Sequence, residues 1–298
     1  MKYAAKKFLT LIITLFIVSL LAFLAFQIIP GDPTTKLLST EATEEARAEL
    51  RAQLGLDRPI PVRYWEWLTN FLRGDMGESY SYHMPVSDML GEKLVITFLL
   101  TILSFAFTIV LSIPLGILAG SVRSGWLDGL ITALDQVVMS IPAFFIGILS
   151  CFFFGIMLHI FVPGDFVSYT QDWGAFLSYL ILPALSIAIP RIAMTVKMLR
   201  GAILQEMGKD YVRTARSRGG DRGGILRRHV LKNALIPVIT FMAVYAGEIM
   251  TGTILIEHVF TIPGVGRAIV VIMAAWIVIV NFVADLLYQL VDPRLRLR

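Results

Sequence analysis

Residues 94–120 read LVITFLLTILSFAFTIVLSIPLGILAG. The run holds no Asp, Glu, Lys or Arg. A helix rises about 1.5 Å per residue, so a run of this length crosses a hydrocarbon core about 30 Å thick. Working outward, five more apolar runs flank it, at about 8–29, 134–162, 175–196, 234–256 and 268–290. The pattern specifies an all-α, polytopic membrane helix bundle with six transmembrane helices. Composition agrees: 56% of the 298 residues are hydrophobic and only 16% are charged, against about a quarter charged in average soluble domains. The net charge of +4 is concentrated in short segments. It therefore speaks for topology and partner docking, and no nucleic-acid surface is expected. The single cysteine, Cys151, lies inside an apolar run. That excludes an intrachain disulfide and a thiolate metal cluster.

Charge sets the orientation. Lys2, Lys6 and Lys7 precede the first run, which is longer than a signal-peptide core and ends in Gln27-Ile28-Ile29-Pro30 without a small-x-small cleavage site, so it reads as an uncleaved span. Six spans put both termini on one side. The basic N-terminus, Arg123 in the short loop 121–133, and Arg294, Arg296 and Arg298 all predict that this side is cytoplasmic. Three regions follow: 1–30, the first helix with a cytoplasmic N-terminus; 31–93, an extracytoplasmic segment; and 94–298, a five-helix core. In segment 31–93 eleven carboxylates outweigh seven Lys and Arg. Thr40 and Thr43 are candidate N-caps for a helix over Glu41–Leu54, ended by Gly55. A second helix over Val62–Leu72 places Trp65, Leu68 and Leu72 on one face and ends at Gly74. Trp65 and Trp67 suit a membrane interface or a substrate site.

No enzyme site assembles. His83, His159, His229 and His258 are far apart and form no metal-ligand pair. No Gly-x-Ser-x-Gly elbow occurs, and the only Gly-Lys pair, Gly208-Lys209, lacks the residues of a phosphate loop. If ATP is used, another chain binds it. Arg191, Asp135 and Asp285 lie near the ends of spans, where long or terminal charges reach the interface by snorkelling. Glu248 sits mid-span, after Gly247. A charge at that depth faces a cavity or a partner, or is a neutral, hydrogen-bonded carboxyl. Pro114, Pro142, Pro183 and Pro190 interrupt spans or their ends.

The second landmark is the segment between the fourth and fifth runs, residues 197–233. It carries ten Lys and Arg against Glu206, Asp210 and Asp221, so it is predicted to be cytoplasmic. Lys209–Arg218 forms a short helix with Tyr211, Val212 and Ala215 on one face. Gly219-Gly220 breaks it, and Asp221 caps a second helix with Ile225, Leu226 and His229 together. Such a ridge with basic flanks fits a groove in an acidic partner. A basic loop on anionic lipid headgroups is the other reading.

Several motifs together carry a resemblance. They are Ile29-Pro30-Gly31-Asp32-Pro33, Leu54-Gly55-Leu56-Asp57, Arg73-Gly74-Asp75-Met76-Gly77, Ile113-Pro114-Leu115-Gly116 and Ile181-Leu182-Pro183-Ala184-Leu185. Further on come Asp210–Gly219, Asn233-Ala234-Leu235-Ile236-Pro237 and Val291-Asp292-Pro293-Arg294. Over nearly its whole length the chain resembles the permease subunit of a bacterial ATP-binding-cassette importer of the dipeptide/oligopeptide/nickel class. The resemblance implies that the chain conducts a peptide or similar small solute, or a nickel chelate, across the inner membrane. It implies a homologous second permease, two ATP-binding subunits that hold ATP and Mg, an extracytoplasmic substrate-binding protein and membrane lipid as partners. The chain itself is implied to bind no cofactor or metal and to have no catalytic residue. The residues implied in coupling to the ATPases are Tyr211, Arg213, Ala215, Gly219, Leu226 and His229, and Glu248 is assigned to the pathway or a subunit contact. Two departures stand out. The family's Glu-Ala-Ala-x3-Gly signature is Arg213-Thr214-Ala215 with Gly219 here, so a salt bridge from that glutamate is not carried over. After Thr261-Ile262-Pro263-Gly264-Val265-Gly266-Arg267 the chain enters its last apolar run directly, without the outward segment typical of relatives. A non-transporting membrane scaffold that keeps the docking loop is the alternative.

Overall fold

The computed structural model describes residues 2–28, 43–53, 55–79, 84–121 and 125–264. Among them the chain is almost entirely helical, with one two-residue antiparallel pairing, Glu78–Ser79 (β1) with Met84–Pro85 (β2). The last apolar run, 268–290, Asp285 and the motif ending in Arg294 lie outside the described residues, as does Thr40. Two compact units are distinguished, one up to Val95 and one from Ile96.

In the first unit, α1 (Lys2–Ile28) is the first span. Helix α2 (Glu44–Gln53) starts at Thr43, whose Oγ1 accepts from the Ala46 N–H at 3.3 Å, as a capping threonine should. Helix α3 (Ile60–Leu72) packs on α1. Trp65 and Leu72 are 57% and 76% exposed. The inward face is Tyr64, Trp67 and Phe71. Tyr64 is buried, with its ring against Phe16 and Phe23 and its hydroxyl 2.8 Å from Ser19 Oγ. The Tyr64 hydroxyl has a partner in Ser19, which allows its ring to be buried, while Trp65 keeps its ring near Phe16 and is otherwise exposed.

The second unit is built on α4 (Val86–Ser121), α5 (Gly125–Ser140), α6 (Ala143–Ser150), α7 (Trp173–Met207), α8 (Asp210–Ser217), α9 (Arg222–Ile225) and α10 (Leu231–Val259). Seven π-helical residues, Cys151–Met157, extend α6, and Leu226–Val230 join α9 to α10 in the same way. Helices α7 and α10 form the centre, with Phe176, Leu180, Leu199, Ile203, Val230, Ala234, Ile256 and Phe260 buried. Gly116 and Gly120 of α4 face Leu199 and Ile203 of α7 so closely that a Cβ at Gly116 would lie 2.7 Å from Leu199 Cδ2. Small residues four apart allow this approach where apolar burial alone gives no drive between helices.

Two expectations are corrected. The third run, 134–162, is not one straight span. It is broken at Ile141-Pro142, with a 93° bend between Gly125–Ser140 and Ala143–Met157. Pro142 sits outside the helix before α6 with extended backbone, having no N–H to continue the ladder. Pro114, Pro183, Pro190 and Pro237 stay inside continuous helices. Second, the basic segment is not a loop from residue 197. Helix α7 runs on to Met207 because Leu199, Ile203 and Met207 keep an inward apolar face among the charges. From Arg222 the backbone is helical without a break to Val259. Among the described residues, four helices are long and apolar enough to cross a membrane, or five if the bent pair is one span.

Candidate functional site: a basic helical turn and a charged cleft

The turn between α7 and α10 is built from local chemistry. Helix α8 ends at Ser217, with Arg218 as its C-cap. The Gly219 N–H then donates to the Arg216 carbonyl at 2.9 Å and the Gly220 N–H to the Ala215 carbonyl at 3.1 Å. This is the paired bonding of a Schellman cap, with its left-handed residue at Gly219, φ +80°. Asp221 follows as N-cap, accepting from the Gly224 N–H at 2.9 Å. Tyr211 donates to Glu206 Oε2 at 2.7 Å, and Lys209 pairs with the same carboxylate. Burial, and next the bond to Glu206, hold the Tyr211 phenol above its ordinary range. Arg222 donates to the Ser121 carbonyl at 3.1 Å, tying the turn to the end of α4.

Between α8 and the start of the next helix lies a hollow of about 870 Å³. Tyr211, Ala215, Arg218, Arg227, Arg228 and His229 are among the residues that line it. Of the six residues assigned to coupling, three are on its wall: Tyr211, Ala215 and His229. Gly219 forms the turn beside it. Leu226 is buried with Val212 and Ile225 in the chain's own core, so it supports the wall from behind. Arg213 points to solvent, 3.5 Å from Asp210 of its own helix.

A second polar feature lies in the apolar part of the same two helices. Arg191 of α7 reaches Glu248 of α10, Nη2 to Oε2 3.5 Å, and its guanidinium lies 5.0 Å from the centroid of the Tyr245 ring. Their side chains are 36% and 55% exposed. They open on a cleft of about 310 Å³, lined also by Met139, Ile141, Pro142, Ile187, Met194, Ile249 and Gly252. The expected snorkelling of Arg191 gives way to this pairing, because an opposite charge is within reach on the neighbouring helix. Sequence reasoning found Glu248 and missed its partner. The available signal was one unmatched charge of each sign inside two successive spans. Asp135, expected at the start of a span, stands near the end of α5, next to Gln136, which accepts from Lys197 at 2.9 Å.

A third polar residue was also missed. Glu257 is 4% exposed, and Thr97 Oγ1 of α4 donates to its Oε1 at 2.6 Å. Beyond α10 the chain turns at Thr261, φ 55°, and brings Gly264 against that carboxylate. Tyr179 holds the same turn, donating to the Phe260 carbonyl at 2.6 Å. Among the described residues no group of three or more His, Cys, Asp or Glu is arranged to hold a metal ion.

The family profile described as binding-protein-dependent transport system inner membrane component matches residues 112–297, and its N-terminal companion matches 1–101. The chain belongs to this family. It is a multi-pass inner-membrane permease of an ATP-binding-cassette importer, and ATP hydrolysis lies with separate subunits. A probable peptide ABC transporter permease from Sinorhizobium fredii is 30% identical over 99% of both chains. A glutathione transport system permease from Pectobacterium atrosepticum is 32% identical, again over 99% of both. Matches of this extent to transport permeases do not favour the scaffold alternative. The family also implies ATPase and substrate-binding partners for the permease.

Proposed function

We propose that this permease conducts short peptides inward, paired with a homologous permease and driven by two ATP-binding subunits that hold ATP and Mg. A substrate-binding protein would deliver the peptide to the outer face. Both termini and the turn around Gly219 lie in the cytoplasm, and residues 31–93 lie outside. Tyr211, Ala215 and His229 meet the ATPase, Gly219 sets the angle of the docking element, Leu226 backs it, and Arg213 adds positive charge at its edge. Glu248 lines the pathway at the permease–permease contact. One observation carries this reading: α7 and α10 hold the basic turn at one end and Arg191 and Glu248 along their length, with continuous helix between. A displacement at the turn is therefore delivered to the charged cleft by rigid elements, the kind of link that two-state coupling requires. The peptide class follows the names of the relatives, and a nickel chelate is the other substrate seen in the class. The test is ATP-dependent uptake of a labelled dipeptide into vesicles carrying the permease pair, the ATPases and the binding protein. Uptake that needs ATP and is lost when this chain is omitted is expected. Equal uptake without the chain would overturn the reading.

A further inference from the structure

The Arg191–Glu248 pair is placed where an ordinary ion pair is hard to justify. A charge at mid-span is costly, and an exposed pair returns little of that cost. Both head groups nevertheless open on the cleft between the Ile141-Pro142 break and helices α7 and α10. Their 3.5 Å separation is longer than a good hydrogen bond, and among the described residues neither has another ion-pair partner. Arg191 is held on one side by the Tyr245 ring, which is buried. The other Arg191 donors and the Glu248 oxygens keep hydrogen-bonding capacity unspent. The cleft wall beside them is apolar: Ile187, Met194 and Ile249.

We infer that this cleft is a recognition site for zwitterionic solutes, with Arg191 taking a carboxylate and Glu248 an ammonium group of one small molecule such as a dipeptide. The inference rests on the peptide-permease reading and adds the chemical group that is read. A cation and an anion side by side favour a ligand with both charges. A solute carrying only one would separate the pair and leave Arg191 or Glu248 without its counter-charge, which is costly away from bulk water. The volume, about 310 Å³, is at the small end of ligand sites and fits a dipeptide. The apolar wall accepts side chains without selecting among them.

The test uses the assembled transporter without its binding protein, so that the binding protein's selectivity does not enter. In a Cys151→Ala background, Gly252→Cys places a thiol on the cleft, and Met194→Cys serves as a second reporter. The rate of labelling by N-ethylmaleimide is measured with dialanine, N-acetyl-dialanine and dialanine amide at millimolar concentration. Dialanine should protect the thiol at concentrations about tenfold lower than either capped form, the effect of one charge-assisted hydrogen bond. Glu248→Gln should make dialanine and N-acetyl-dialanine equal. Arg191→Gln should make dialanine and its amide equal. Equal protection by free and capped forms in the unaltered pair, or no protection at either reporter, would overturn the inference, whatever the charge variants do. Protection without ATP-driven uptake in vesicles would keep the site and sink the peptide-import reading. Uptake without protection would do the reverse.

Discussion

At the scale of single residues, Glu257 and Gly264 show how a buried carboxyl group fixes a turn. A Cβ built on Gly264 would lie 2.1–2.5 Å from the carboxylate atoms of Glu257. That carboxylate has little room to move, because Thr97 holds it and the side chain is almost fully buried. Gly264→Ala should therefore lower stability by about 1–3 kcal/mol, as overpacking does. The check is the thermal unfolding of the detergent-purified complex, which should fall for Gly264→Ala and stay near the parent value for Gly252→Ala, where nothing lies within 4 Å. Legibility at this scale was uneven. Glu248 stood out in the sequence because it interrupts an apolar run. Arg191 did not, because Pro190 beside it looked like a span end, and pairing between helices leaves no mark within either one. Glu257 was hidden by its place near the end of a helix, where a carboxylate is ordinarily solvated.

At the scale of elements, the basic turn is legible in the sequence locally and not at its ends. Gly-Gly-Asp announces a helix stop and a new cap, and the structure uses Gly219 and Asp221 in those two ways. The extent of the flanking helices was not legible. Charges between 197 and 209 mask the apolar positions Leu199, Ile203 and Met207, whose burial is decided by packing against other helices. The buried face of helix α3 is set in the same way, by Phe16 and Phe23 on another helix. Gly219→Val puts a β-branched side chain at φ +80°, a conformation it strongly disfavours. Nothing in the spans is touched, so membrane level and pairing with the second permease should be retained. Co-purification of the ATPases should drop several-fold. Full ATPase binding and full substrate-stimulated hydrolysis in this variant would show that the turn is not the coupling element.

At the scale of the molecule, the all-α membrane class was legible from apolar run length alone, because a bilayer leaves the backbone few alternatives. Orientation is a separate inference from charge, and it has its own test. With an impermeant thiol reagent on intact cells and Cys151 replaced, a cysteine at Glu45 should be modified and one at Arg218 spared. The reverse result would invert the topology. Among the described residues, run length fails at 134–162, since length counts residues and does not see the direction of the axis.

That break bears on the surrounding lipid. Two helix axes at 93° cannot both follow the membrane normal. Gly125–Ser140 has 16 residues, a rise of roughly 24 Å against a hydrocarbon core of about 30 Å. A half of the pair standing along the normal would fall short of full thickness, and the bilayer beside it would thin, or the helix be drawn inward, at a cost per ångström of mismatch. The acyl chains become a load on whichever conformation leaves the shorter hydrophobic height. Reconstituted in short-chain phosphatidylcholine, the transporter should hydrolyse ATP at a different substrate-stimulated rate than in long-chain phosphatidylcholine. Ile141→Ala with Pro142→Ala, which permits a straighter helix, should flatten that dependence. Identical rates across chain lengths for the unaltered chain would show that bilayer thickness does not act through the bend.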